Sequence, residues 1–167
     1  NKDYLTEQIN KTNKNFLETF ELNNFIKSGS TGIVYEVAYK KTKAKVGCKF
    51  YINRKNKEKK NEEIDFLKKL KNKGIISLFG YLKINEEIEA SILEFAKWGD
   101  LTDFQNKVIK RKILSESFLC YITLQILEIL AYIHMKRIVH SDIKQGNILI
   151  DSNINVKLTD FSVSAAY

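Results

Sequence analysis

Val139-His140-Ser141-Asp142-Ile143-Lys144-Gln145-Gly146-Asn147-Ile148-Leu149-Ile150, with Leu158-Thr159-Asp160-Phe161-Ser162 just beyond it, decides how the rest of the chain is read. Polar groups interrupt apolar, strand-like residues in both stretches. Asp142 can accept a proton from an attacking hydroxyl, and Lys144 can offset charge on a transferring phosphoryl group. Asn147 and Asp160 offer hard oxygen ligands suited to Mg²⁺. A solvated loop accounts for each residue singly. It accounts poorly for a base, a cation and two oxygen ligands set between apolar strands.

Working back from this cluster, the longest periodic run is Glu116 to Met135, with Ser115 as its N-cap. It is apolar nearly all round, so it should be buried by neighbours on more than one side. A short helix is expected from Leu101 to Lys107, after a break at Trp98-Gly99-Asp100. Earlier still the periodicity changes to that of strands: Phe20 to Ile26, Ile33 to Tyr39, Ala44 to Ile52, Ile75 to Leu82 and Ile88 to Phe95. A helix from Lys57 to Leu70 interrupts them, with Glu63, Phe66, Leu67 and Leu70 inward and Gly74 ending it. Two short strands, near Ile148–Ile150 and Val156–Leu158, follow the long helix. Residues 1 to about 18 read as a lead-in, either a short helix or disordered.

Two further features carry chemistry. Gly29-x-x-Gly32 is a small-residue turn between strands, where backbone N–H groups can approach phosphates. By itself it is weak evidence, and tight-turn chemistry is the plainer reading. A strand follows it and no Gly-Lys-Ser/Thr does, which excludes the dinucleotide fingerprint and the P-loop. Lys49 interrupts the apolar strand Val46 to Ile52, so it needs a partner if it points inward; Glu63 can supply one. An edge-strand lysine in water is the alternative.

These motifs, in this order, resemble the eukaryotic protein kinase domain over roughly residues 20 to 167. The resemblance implies an α+β, protein-kinase-like bilobal fold. It has a five-stranded N-lobe sheet with an inserted helix, and an incomplete helical C-lobe. It divides the chain into a lead-in (1–18), an N-lobe (19–95) and a partial C-lobe (96–167). It implies that Gly29, Gly32 and Val34 cover the nucleotide, that Lys49 positions ATP with Glu63 as its partner, and that Leu93, Glu94 and Ala96 flank the adenine. Asp142 becomes the catalytic-loop aspartate, Lys144 its phosphate-contacting lysine, and Asn147 and Asp160 the metal ligands. The cofactors implied are ATP and Mg²⁺. The reaction implied is transfer of the γ-phosphoryl group to a Ser or Thr hydroxyl of a protein substrate. Lys144, two residues after Asp142, resembles the Ser/Thr class. Gly99-Asp100-Leu101 and Phe161-Ser162-Val163-Ser164-Ala165 look most like the Ste20-like and mitogen-activated kinase kinase branch. A regulatory protein is a further expected partner, and a cytoplasmic location is expected, with the nucleus as alternative.

Composition narrows the alternatives. The net charge is +8, but the basic residues are almost all lysine and are dispersed, with no aromatic platform beside them. This argues against a nucleic-acid module. The run Arg54 to Lys60 reads as a solvated helix face. No stretch approaches 18 consecutive apolar residues, so no membrane span is expected. Cys48 and Cys120 read as buried, reduced thiols, and a structural zinc site is not expected with only His134 and His140. Four departures from the family pattern occur; those at Lys27, whose Cβ and long chain should restrict the turn, Ser141 and Ser162 favour the competing reading, a catalytically silent nucleotide-binding or scaffolding module, and the one at Gln145 bears only on local stiffness. Lys27 replaces a glycine, Ser141 the arginine of His-Arg-Asp, Gln145 a frequent proline, and Ser162 the glycine of Asp-Phe-Gly. The chain also stops shortly after Asp160, so the long helix should expose an apolar face and these residues alone should be weakly active or inactive.

Overall fold

The computed structural model describes residues 14–29, 31–51, 57–108, 110 and 113–167. They form two compact units, residues 1–60 with 78–95, and residues 61–77 with 96–167. The Arg54 to Asn56 part of the basic run, and the first residues of the lead-in, lie outside the described residues.

The first unit is built on α1 (Lys14–Thr19) and strands β1 (Phe20–Ser28), β2 (Ile33–Tyr39), β3 (Lys45–Tyr51), β4 (Leu78–Lys83) and β5 (Glu89–Leu93). The strands form one antiparallel sheet in the order β1-β2-β3-β5-β4. Helix α2 (Lys57–Lys69) is inserted between β3 and β4, and its first turn belongs to this unit. Strand β3 is buried at every residue but its first, so its sequence is a nearly continuous apolar run rather than an alternation. Tyr35, Val37, Cys48, Phe50, Ala90 and Ile92 make the core. Phe16 of α1 closes it, its ring centroid 5.6 Å from that of Phe50 and 5.1 Å from that of Phe20. The helical alternative for the end of the lead-in therefore holds from Lys14, where an aromatic side chain has a core to enter.

The second unit contains the rest of α2, then α3 (Leu101–Lys107), α4 (Glu116–Met135), β6 (Ile138–Val139), a 3₁₀ turn at Gln145–Asn147, β7 (Ile148–Ile150), β8 (Val156–Leu158) and β9 (Ala165–Ala166). Asp100 caps α3 by accepting from the Asp103 N–H at 3.0 Å, and Ser115 caps α4 by accepting from Phe118 at 3.2 Å. Strands β7 and β8 form a hairpin, and β6 pairs with β9.

Several sequence expectations are corrected. The fourth strand begins at Leu78, not Ile75, because Ile75 and Ile76 pair elsewhere. Ile76 N–H donates to the Leu158 carbonyl at 3.0 Å, and Leu158 N–H to Gly74 at 2.7 Å. Gly74 does not terminate α2, which ends at Lys69. A Cβ at Gly74 would collide with the Ile129 side chain, so close approach to α4 is what the glycine permits. Cys120 is exposed; Cys48 is buried, and burial pushes its thiol well above the usual value. Lys60 is not on a solvated face but is buried.

Helix α4 departs most from the expectation of burial on several sides. Only Ile122, Ile129 and Ile133 are buried, while Leu119, Tyr121, Leu124, Leu127 and Met135 are exposed. The exposed apolar face agrees with the second expectation for this helix. Among the described residues it is also the one helix long and apolar enough to cross a membrane by length and composition. Counting uninterrupted apolar residues missed this, because single polar residues divide the run without lowering its average much. Its polar groups join it to its own unit: Tyr132 Oη accepts from Lys71 N–H at 3.0 Å, and Gln125 Oε1 from Val156 N–H at 3.0 Å.

Candidate active site

The loop between β6 and β7 folds around its own side chains. Asp142 Oδ2 accepts from Lys144 Nζ at 2.7 Å and from Asn147 Nδ2 at 2.8 Å. Asn147 Nδ2 also donates to the Asp142 carbonyl at 2.9 Å. Asn147 is buried because the 3₁₀ turn points it inward, while Lys144 keeps most of its surface in water. The adjacent Lys144 ammonium holds the Asp142 carboxyl below its usual range, with Asn147 adding to the effect against a partial cost of burial. The same contact raises Lys144. Both groups are thus charged at neutral pH.

Beneath this loop lies His140, buried, with its ring 4.7 Å from that of Phe161 in an edge-on arrangement. Its Nε2 is 3.0 Å from the Thr159 carbonyl, and its Nδ1 accepts from Asp142 N–H at 3.3 Å. A carbonyl can only accept, so Nε2 carries the proton and the neutral ring satisfies both contacts. Burial, the largest influence, lowers the His140 pKa below its ordinary value. Ser164 Oγ donates to the His140 carbonyl at 3.1 Å, and Thr159 N–H to the Asn147 carbonyl at 3.1 Å. These bonds tie the segment carrying Asp160 to the loop carrying Asp142. Asp160 and Ser141 both sit in the left-handed region, at φ 65° and 64°. Ser162 does not, so the side chain in place of glycine meets no backbone penalty there.

Asn147 spends its amide N–H groups on Asp142, which leaves its amide oxygen as a hard donor. Asp160 adds a carboxylate. No cluster of three His, Cys, Asp or Glu side chains that could hold a metal occurs among the described residues. Two oxygen donors fit Mg²⁺, which keeps waters and phosphate oxygens in its shell, and do not make a zinc site.

In the sheet unit, Val34, Lys49 and Leu93 fall on neighbouring strands, and Gly32 immediately precedes β2. Val34 pairs with Lys49, Lys49 with Ser91, and Leu93 with Gly47. Lys49 is buried, its Nζ 5.5 Å from the Tyr51 ring centroid. Gly32 has a strict requirement: a Cβ there would strike the Phe50 carbonyl. Gly29 has none, its nearest such neighbour being the Gly32 carbonyl at 3.9 Å. Lys27 is part of β1 opposite Val34, an extended position that needs no glycine, so the restriction expected of its Cβ is not found. Glu63 is buried on α2 in the second unit, and Glu94 and Ala96 follow β5. Sequence reasoning missed the Thr159 carbonyl and the Ser164 hydroxyl. Backbone acceptors leave no residue signature, and a serine among apolar residues reads as surface.

A five-stranded antiparallel sheet with a helix after its third strand, followed by a helical unit whose hairpin is flanked by these two polar loops, defines the protein kinase domain. Residues 20–167 match the protein kinase domain family, and the chain belongs to it, as a Ser/Thr kinase domain related to Ste20- and PAK-like kinases. It is 33% identical over 146 residues to serine/threonine-protein kinase 4 homolog B of Dictyostelium discoideum, covering 87% of this chain and 13% of that protein. It is 33% identical over 148 residues to serine/threonine-protein kinase pakG of the same organism, covering 89% and 12%. Misshapen-like kinase 1 of Rattus norvegicus is 33% identical over 153 residues, covering 87% and 11%. The chain thus spans only a small part of the length of these relatives.

Proposed function

We propose that this chain carries the nucleotide and phosphoryl-transfer machinery of a Ser/Thr protein kinase, passing the γ-phosphoryl group of ATP to a protein Ser or Thr hydroxyl. The observation that carries the reading is the double hydrogen bond onto Asp142 Oδ2 from Lys144 and Asn147. It fixes the carboxylate plane and leaves Oδ1 to receive the hydroxyl proton. Lys144, once drawn toward a phosphate, offsets charge developing on it. Asn147 and Asp160 would hold Mg²⁺, which when bound neutralises phosphate charge. Lys49 would hold phosphates of the nucleotide with Glu63 as partner, the backbone from Gly29 to Gly32 and Val34 would cover it, and Leu93, Glu94 and Ala96 would border the adenine. Residues 1–18 are then the lead-in, 19–95 the N-lobe and 96–167 part of the C-lobe. A protein acceptor and a regulatory protein are the partners, and the setting is the cytoplasm or nucleus.

A silent nucleotide-binding or scaffolding module is the second reading, favoured by Ser141 in place of arginine. That position carries no cation to pair with a phosphorylated segment. Mg²⁺-dependent ATP binding and phosphate transfer, measured on the full natural protein beside its Asp160→Asn form, separate the two. The kinase reading expects both activities in the natural protein and loss of Mg²⁺-dependent binding and of transfer in the variant. ATP binding without transfer under activating conditions supports the silent module.

A further inference from the structure

Helix α2 begins its buried stripe with a lysine. Lys60, Glu63, Ile64 and Leu67 stand at i, i+3, i+4 and i+7, and are 5%, 2%, 3% and 2% exposed. Three of the four are what a buried stripe with one functional carboxylate would hold. Lys60 is the exception, and its position is costly. Burial removes water from an ammonium, and a cation in the early turns of a helix opposes the helix dipole. The compensation is specific: Lys60 Nζ is paired with the Glu89 carboxylate at the start of β5, and lies 5.7 Å from the Tyr81 ring centroid on β4. All three residues belong to the sheet unit.

A methionine at residue 60 would fill the same space without losing hydration. Buried ion pairs often add little net stability over apolar side chains of similar volume; what they add is geometric definition. We propose that Lys60 is a positioning residue, latching the first turn of α2 to β5 through Glu89 and to β4 through Tyr81, and thereby setting where Glu63, one turn on, is presented. The functional part of this rests on the proposed pairing of Glu63 with Lys49. The latch itself does not.

The test compares the full natural protein with Lys60→Met, and with the exchanged pair Lys60→Glu/Glu89→Lys. Amide hydrogen exchange across residues 57–69 should quicken about tenfold in Lys60→Met, the size expected if roughly one tenfold step of local opening is lost. The KM for ATP should rise by about the same factor, beside the fall in melting temperature that the unpaired Glu89 brings. The exchanged pair should recover part of the protection. A purely structural lysine would lower the melting temperature and leave the KM unchanged. Wild-type exchange in Lys60→Met, or a lower melting temperature as the only change, overturns the proposal. If the natural protein transfers no phosphate, the kinase reading fails, and quickened exchange in Lys60→Met still supports the latch.

Discussion

The proposed function gives phosphate chemistry both to the glycines Gly29 and Gly32 and to the loop at Val139–Asn147, yet the two are held in different ways. The turn has one strict demand, at Gly32, set by the Phe50 carbonyl beside it. A Cβ at Gly29 would make only an ordinary contact, and Lys27 is simply a strand residue. In the loop, Asp142 is bonded to Lys144 and Asn147, and His140 to Thr159 and Ser164. Outside Gly32 the turn places no steric demand on Gly29 or Lys27. The loop offers side chains and depends on each. Departures from a family pattern therefore weigh differently: Lys27 is cheap, whereas a change at Asn147 or His140 would spread.

Substitutions in the two regions test this contrast. The largest effect is expected from Asp142→Asn, which replaces the proposed proton-accepting carboxylate with a non-basic amide. Turnover should fall by about 10²–10⁴, the usual worth of a positioned base, with ATP affinity changed little. Equal turnover in the variant would remove Asp142 from its role. Next comes Gly32→Ala, which should cost about 1–3 kcal/mol by forcing β2 away from β3, read as a lower denaturation midpoint. Because a Cβ at Gly29 would meet only the Gly32 carbonyl, at an unstrained 3.9 Å, Gly29→Ala should stay within about 0.5 kcal/mol of the parent. Similar losses at the two glycines would break the contrast inside the turn.

A pH experiment sharpens the loop's side of the comparison. The His140 pKa is lowered in the folded state, so the unfolded chain binds a proton first as pH falls. Stability is complete above the ordinary histidine value of about 6.5 and declines below it, by at most about 1.4 kcal/mol per pH unit, until the folded pKa is passed. Asp142 is held low by Lys144 and stays ionised through this window. Activity lost between pH 6.5 and 5 should therefore track unfolding, not titration of the base. His140→Gln should be less stable at neutral pH and show a flatter dependence. A dependence as steep as the parent's would assign the effect elsewhere.

Much of the sheet and of the candidate site was legible. Strand periodicity located β2 within its residues, and chemistry and spacing grouped Asp142, Lys144 and Asn147, which hydrogen bonds join. What escaped depended on three-dimensional neighbours. Ile75 and Ile76 are as strand-like as Leu78, but bond to Leu158. Lys60 sits among lysines that suggest a wet face, and only Glu89 explains its burial. Helix α4 is apolar on all sides, and no periodicity says which side its own unit covers; Leu124 is 62% exposed while Ile122, two residues earlier, is 4% exposed. Composition indicates that a face can be buried, but only a partner buries it.

The most direct test of the central claim is phosphate transfer by the full natural protein, with ATP labelled at the γ-phosphoryl, Mg²⁺ present or chelated, and the labelled residue in an acceptor protein identified. The expected result is Mg²⁺-dependent label on serine or threonine. ATP bound by a folded protein, with no label transferred under activating conditions, would contradict the account.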